Sequence, residues 1–190
     1  MNCSVRMALA IAVLLASVTA IPHRAAGQTA QPVSTLDLTR FEGEWYEVAH
    51  LPTKSEKHCV RDTIVLYAAR YKPRQFQVVT TCKTKQGFSD VKNMNGKRAD
   101  KSSDGKLKVT TIWPFCVQEW VLALGDNYEW ALVGSPNHKL LWVLSRSPSL
   151  APEVLIAIEA KATAQGYEAS RLVAVPQQLV TPAPRSVVLP

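Results

Sequence analysis

The sequence predicts an all-β protein: an eight-stranded antiparallel up-and-down β-barrel with one C-terminal helix packed on its outside and a short final strand. Three observations predict it. Apolar and polar residues alternate with period two almost without a break from Phe41 to Arg146. Turn-forming residues interrupt that stretch at steps of about ten residues. After Pro148 the spacing changes to that of a helical face.

The strands are expected at Glu44–His50, Thr63–Tyr71, Gln75–Thr84, Ser89–Arg98, Lys106–Trp113, Glu119–Leu124, Glu129–Val133 and Leu140–Arg146. Lys72-Pro73-Arg74, Ser102-Ser103-Asp104-Gly105, Gly125-Asp126-Asn127 and Gly134-Ser135-Pro136-Asn137 carry the Pro, Gly, Asn and Asp that chain reversals need. Eight strands with short connections form a meander, and closing it removes two edges that would otherwise template aggregation. In the helix, Ala151, Val154, Leu155, Ile158 and Ala162 fall on one face of about 14 residues. Pro152 suits the first turn, Glu153 the positive helix end, and Gly166 the stop. The barrel wall is the surface that face must cover. Arg171–Val175 reads as the final strand.

With 190 residues, 47% hydrophobic and 19% charged, the chain suits one globular domain with tails. Residues Ala8 to Val18 form an apolar run of 11, short of the roughly 20 that span a bilayer. Arg6 precedes the run and small residues follow it, so residues 1–20 are expected to be a secretory signal peptide. Residues 21–37 then form an N-terminal segment, 38–178 the barrel with its helix, and 179–190 a Pro-rich disordered tail. The mature protein is expected to be exported, periplasmic or secreted, and soluble. Cys3 lies before the apolar run, so a lipid anchor is not expected.

Lys and Arg outnumber Asp and Glu by 22 to 15. The excess is confined to one stretch, Lys54 to Lys108, with 14 basic residues against 5 acids, a net +9. Such a face suits a membrane surface or an anionic headgroup, or serves solubility alone. Nucleic acid is not expected, because the bases form neither a helical stripe nor an aromatic-studded motif.

Three segments stand in order: Gly43-Glu44-Trp45-Tyr46-Glu47, then Gly125-Asp126-Asn127-Tyr128, then Leu144-Ser145-Arg146. Together they resemble the three characteristic segments of the lipocalins, nearest to the branch of bacterial lipocalins, apolipoprotein D and plant temperature-induced lipocalins. The resemblance runs from about Leu38 to Gln177. The second segment is a looser form, with Asn127 between Asp126 and Tyr128. The resemblance implies a calyx, open at one end, that binds a small apolar ligand. It also implies that Trp45 and Arg146, next to Gly43, stack over the closed end, a cation–π contact of about 0.5–2 kcal/mol.

Parity along the strands assigns the interior. Trp142 shares a face with Leu144 and Arg146, and Glu47 and Ala49 share one with Trp45. Val78 and Thr80, Val109 and Thr111, and Trp120 and Leu122 are the further ligand-facing candidates, with Trp113 near an end. Glu47 among apolar neighbours would have a raised pKa and, when neutral, could donate to a ligand hydroxyl; it could equally face solvent.

Three cysteines remain after the signal, so one disulfide and one thiol, or a covalent partner, are expected. A turn at Lys72-Pro73 makes paired positions sum to 145, which sets Cys82 opposite Thr63, with Cys59 four residues earlier. A bend there would bring Cys59 within reach, so Cys59–Cys82 is the expected disulfide. Cys116 is left over, an inert half-buried thiol, an intermolecular link or a nucleophile.

The expected function is binding, storage or transport of a fatty acid, lysophospholipid or similar amphiphile, in envelope lipid maintenance or stress. Lys54, Lys57 and Arg61 would meet its headgroup or a membrane surface, and the protein would act as a monomer or weak dimer. Two other classes stand beside it: a filled-barrel adaptor docking through the basic face, and a Cys116-dependent lipid-modifying enzyme. No metal spacing, phosphate loop or Ser-His-Asp signature is present, so no cofactor or metal is expected.

Overall fold

The computed structural model describes residues 29–178 apart from 55, 56, 73, 100–102 and 113. The expected signal peptide, the tail from 179 and Trp113 lie outside the described residues. A short helix α1 (Leu38–Phe41) leads into β1 (Gly43–His50), β2 (Cys59–Ala69), β3 (Gln75–Thr84), β4 (Ser89–Arg98), β5 (Lys106–Ile112), β6 (Phe115–Leu124), β7 (Trp130–Gly134) and β8 (Leu141–Ser145). Helix α2 (Pro152–Ala164), a 3-10 turn at Ala169–Arg171 and β9 (Val173–Ala174) complete the order.

Each strand from β2 to β7 pairs antiparallel with the next, and β1 pairs with both β8 and β2, closing the barrel. The β1–β2 pairing runs only from Gly43 to Tyr46. Beyond it β9 takes the vacated edge of β1, at Ala49 and His50. Gln177 donates to the carbonyls of Glu47 (2.7 Å) and Thr63 (3.3 Å), filling the gap where the two strands part.

Two apolar layers result. One fills the lower barrel with Trp45, Tyr67, Val78, Leu107, Val109, Val121, Val133 and Leu144. The other lies between the outer wall and α2, where Leu132, Leu141 and Val143 meet Ile158 and Ala162. This second layer explains a local pattern. Strands β7 and β8, covered on both faces, read as the apolar runs WALVG and LWVLS, whereas β4 reads SDVKNMNGKR because its outer face meets water.

Several boundaries differ from expectation. Helix α1 is extra: the Asp37 carboxylate accepts from the amides of Thr39 and Arg40, a capping arrangement that starts a helix in only four residues. Strand β2 begins at Cys59 rather than Thr63, and β6 at Phe115 rather than Glu119. Arg171 ends the 3-10 turn, leaving only Val173–Ala174 for the last strand.

Candidate ligand site

The closed end is built by the first and third segments. The Trp45 ring is fully buried, its indole N–H donates to the Phe41 carbonyl (2.8 Å), and the Arg146 guanidinium lies 3.7 Å above it. The same guanidinium donates to the carbonyls of Glu44 (2.7 Å), Arg40 (2.8 Å) and Glu42 (2.8 Å), so one side chain ties α1 to β1. Gly43 is required here, because its φ of +96° is left-handed and a Cβ would come within 3.2 Å of Arg146. The second segment joins in: the Arg40 guanidinium sits 4.3 Å over the Tyr128 ring, and the Tyr128 hydroxyl accepts from the Asp37 amide (3.0 Å).

Above this plug lies a cavity of about 190 Å³. Val65, Val78, Val117, Val133, Leu144, Met94 and Trp142 give it apolar walls. Its polar lining is Glu47, Thr63, Tyr67, Thr80, Lys92, Thr111 and Glu119. Tyr67 and Glu119 both line the lumen, from β2 and β6 on opposite sides of an eight-stranded ring, and interact across it. Burial pushes the Glu119 carboxyl up to about 7, the Tyr67 bond only partly opposing it. Burial, and after it the Glu119 and Glu47 charges, push the Tyr67 phenol well above its usual range.

A second, open hollow of about 710 Å³ lies beside the chain entering β2, lined by Lys54, Lys57 and Lys85 among others. Cys59 borders both spaces; Glu47 borders the inner one and His50 the outer. Glu47 Oε1 and His50 Nδ1 are 2.5 Å apart. That pair depends on a bulge in β1 between Glu47 and Ala49, which carries His50 round to Glu47's side.

The expected positions divide accordingly. Glu47, Val78, Thr80, Thr111 and Trp142 line the cavity. Val109 is in the barrel interior but packs in its core away from the cavity. Three placements are corrected. Ala49 packs outside the barrel wall, because the bulge reverses the parity of β1 after Glu47. Trp120 and Leu122 also belong to the outer layer, under α2, and the inward set of β6 is Val117, Glu119 and Val121. Glu47 takes the inward of its two expected settings, in the apolar-walled cavity, and is buried against His50, a partner parity did not supply. Of the three expected basic residues, Lys54 and Lys57 line the hollow; Arg61 is turned to Asp62 at 2.6 Å, and Lys85 takes the third place. Parity alone missed Glu119 and Tyr67; the available signal was an acid inside an apolar strand run.

The disulfide Cys59–Cys82 is present, with Cα atoms 5.5 Å apart. The expected register holds from Ala69–Phe76 to Ile64–Thr81, and two irregularities between Cys59 and Ile64 then slide Cys59 to Thr84. Cys116 is free and exposed rather than half-buried. Among the described residues, one cluster has metal-ligand spacing, Cys59, Cys82 and Asp90, and the disulfide occupies both its sulfurs.

A closed barrel plugged at one end, hollow above the plug and open at the other defines a small-ligand binding protein of the calyx type. Residues 36–177 match the family model described as a lipocalin-like domain, and the chain belongs to the lipocalin family. It is similar to the outer membrane lipoprotein Blc of Vibrio cholerae, 32% identical over 80% of this chain and 88% of the relative. It is also similar to temperature-induced lipocalin-1 of Arabidopsis thaliana, 30% identical over 79% of this chain and 84% of the relative. Among solved structures, insecticyanin from the tobacco hornworm Manduca sexta superposes with a TM-score of 0.62 at 24% identity, covering 79% of this chain and 85% of that one. That likeness shows the fold.

Proposed function

We propose that this lipocalin binds and carries a fatty acid, lysophospholipid or similar amphiphile, with its apolar tail in the calyx and its headgroup at the mouth. The observation that carries this reading is that two spaces share Cys59: an apolar-walled cavity inside the barrel and an open hollow lined by Lys54, Lys57 and Lys85. Each buried CH₂ contributes about 0.8 kcal/mol, and the lysines attract an anionic head. The inner cavity alone is below the roughly 300 Å³ at which small-molecule sites usually begin, so the ligand occupies both spaces.

The mouth also suits a membrane surface. Phe88 (73% exposed) and Phe115 (71%) stand on neighbouring turns of the open end, with Val91 (53%) close by in sequence to Phe88. Aromatic side chains amid lysines would sit at a headgroup layer as the ligand passes. We place the protein in the cell envelope or outside the cell, soluble, whereas the bacterial relatives are named outer membrane lipoproteins. Metabolic labelling with palmitate tests this; a labelled product would show an anchor. We read the protein as a binder rather than an enzyme, and Cys116 lies outside the cavity lining. Cys116→Ser is expected to leave ligand binding unchanged.

The test is a titration of the delipidated protein with a C18 fatty acid and its lysophospholipid, followed by tryptophan fluorescence. Trp142 borders the cavity, so saturable quenching or a blue shift at micromolar ligand is expected, and Trp142→Phe should remove most of it. Absence of response from folded, lipid-free protein would overturn the reading in favour of a filled-barrel adaptor.

A further inference from the structure

We propose that the floor of the calyx recognises a hydrogen-bond-donating group, a hydroxyl or an amine, on the part of the ligand that enters deepest. The inference rests on the reading that the calyx takes an amphiphile, and it specifies that ligand's inner end.

The floor is a polar pair, buried Tyr67 and half-buried Glu119, with Tyr67 set directly on the plug. The Tyr67 ring packs edge-on against Phe41 with centroids 4.8 Å apart, and Phe41 against Trp45 at 5.1 Å. Tyr67 and Glu119 both line the cavity, and Tyr67 has a single hydroxyl hydrogen to offer Glu119. A carboxylate offers about four acceptor sites, so most of Glu119's capacity remains after that bond. The walls beside it, Val65, Val78, Val117, Val133 and Leu144, have nothing to donate from their side chains.

The other charged groups bordering the space are accounted for on their own strands. Glu47 is held by His50, both on β1, and Lys92 on β4 lies 3.9 Å from Asp90. Thr63 and Thr80 stand at mid-strand on β2 and β3, above the Tyr67–Val78 pair, and Thr111 at the mouth end of β5. A methyl terminus pressed onto the floor therefore strips water from Glu119 and returns no hydrogen bond, whereas a hydroxyl or ammonium returns one. A site built around an acceptor that the ligand shuts off from water discriminates against the analogue that lacks the donor. The position of the Glu119 titration, near 7, lets the group serve a hydroxyl in either protonation state and an ammonium once ionised.

Three probes of equal chain length test this: dodecanoic acid, 12-hydroxydodecanoic acid and 12-aminododecanoic acid, each titrated into wild type, Glu119→Leu and Glu119→Gln. In wild type the hydroxy acid is expected to gain about tenfold over dodecanoic acid relative to the same ratio in Glu119→Leu. Glu119→Gln keeps an acceptor, so it should retain much of the hydroxyl preference and lose that for the amine. The amine's advantage in wild type should grow from pH 6 to pH 8. Equal ratios in wild type and both variants, with dodecanoic acid still bound, would overturn this inference and leave the amphiphile reading standing. Binding of none of the three to folded wild type would overturn both. Glu119→Gln, close in shape to the native side chain, decides the question if Glu119→Leu fails to fold.

Discussion

The two ends of the barrel are built on different principles. At the closed end, Arg146 alone holds three backbone carbonyls and the Trp45 face, and Gly43, Phe41 and Tyr128 pack around it. At the open end, lysines and two phenylalanines face solvent, and one disulfide secures the loop entering β2. The closed end concentrates stability in mutually dependent contacts, and the open end leaves surface free for recognition. Residues that touch ligand or membrane can therefore change with little effect on the fold, while those of the plug cannot.

Four experiments would break or sharpen that contrast. The largest effect is expected from Trp45→Ala, which empties the plug and should cost about 3–5 kcal/mol in urea unfolding; a loss below 1 kcal/mol would mean that the plug does not govern stability. Next is removal of the Cys59–Cys82 disulfide, which spans 23 residues. Cys59→Ser with Cys82→Ser should cost about 3 kcal/mol by the chain-entropy estimate, read as a drop in Tm. An unchanged Tm would place the mouth's order entirely in its hydrogen bonds.

The third concerns pH. Glu119 has a folded-state pKa of about 7, above the usual carboxylate value of 4.5. Between those values the folded chain binds more protons than the unfolded one, so stability should fall as pH rises from about 4.5 to 7 and level off above. Glu119→Gln should flatten that slope in denaturation curves taken across the range; an identical slope would exclude Glu119 as its source. The smallest effect is expected at the rim. Changing Lys54, Lys57 and Lys85 to Gln should weaken an anionic amphiphile by about two- to tenfold, more at low salt, and leave stability within about 0.5 kcal/mol. A zwitterionic ligand of equal chain length should change less. Arg61→Gln is the control, because Arg61 is paired with Asp62 and does not line the hollow.

The contrast between the ends also divides what could be read in advance. The plug was legible because its residue types are constrained one by one. Only glycine tolerates the backbone at position 43 with Arg146 so near, and an indole beneath a guanidinium needs Trp and Arg. The Cys59–Cys82 pairing was legible because the turn between Arg70 and Gln75 sets the β2–β3 register as far as Ile64. Lys85 was missed because a loop's charge falls beside the mouth only once four strands have set its height.

By itself, the sequence determined the number and order of the strands, the helix after them, the plug residues and the disulfide. Those follow from period, turn chemistry and local sterics, which act between residues close in the chain or fixed by one hairpin. Which face of a strand looks inward was decided by the tertiary structure. Period two separates two faces without labelling them, and here α2 buries the outer wall, so Leu122 outside is as apolar as Val121 inside. A single bulge then exchanges Ala49 for His50 and gives Glu47 its partner. The meeting of Tyr67 and Glu119 in one lumen is further still from the chain's local logic, because it exists only when the barrel closes and brings opposite walls together.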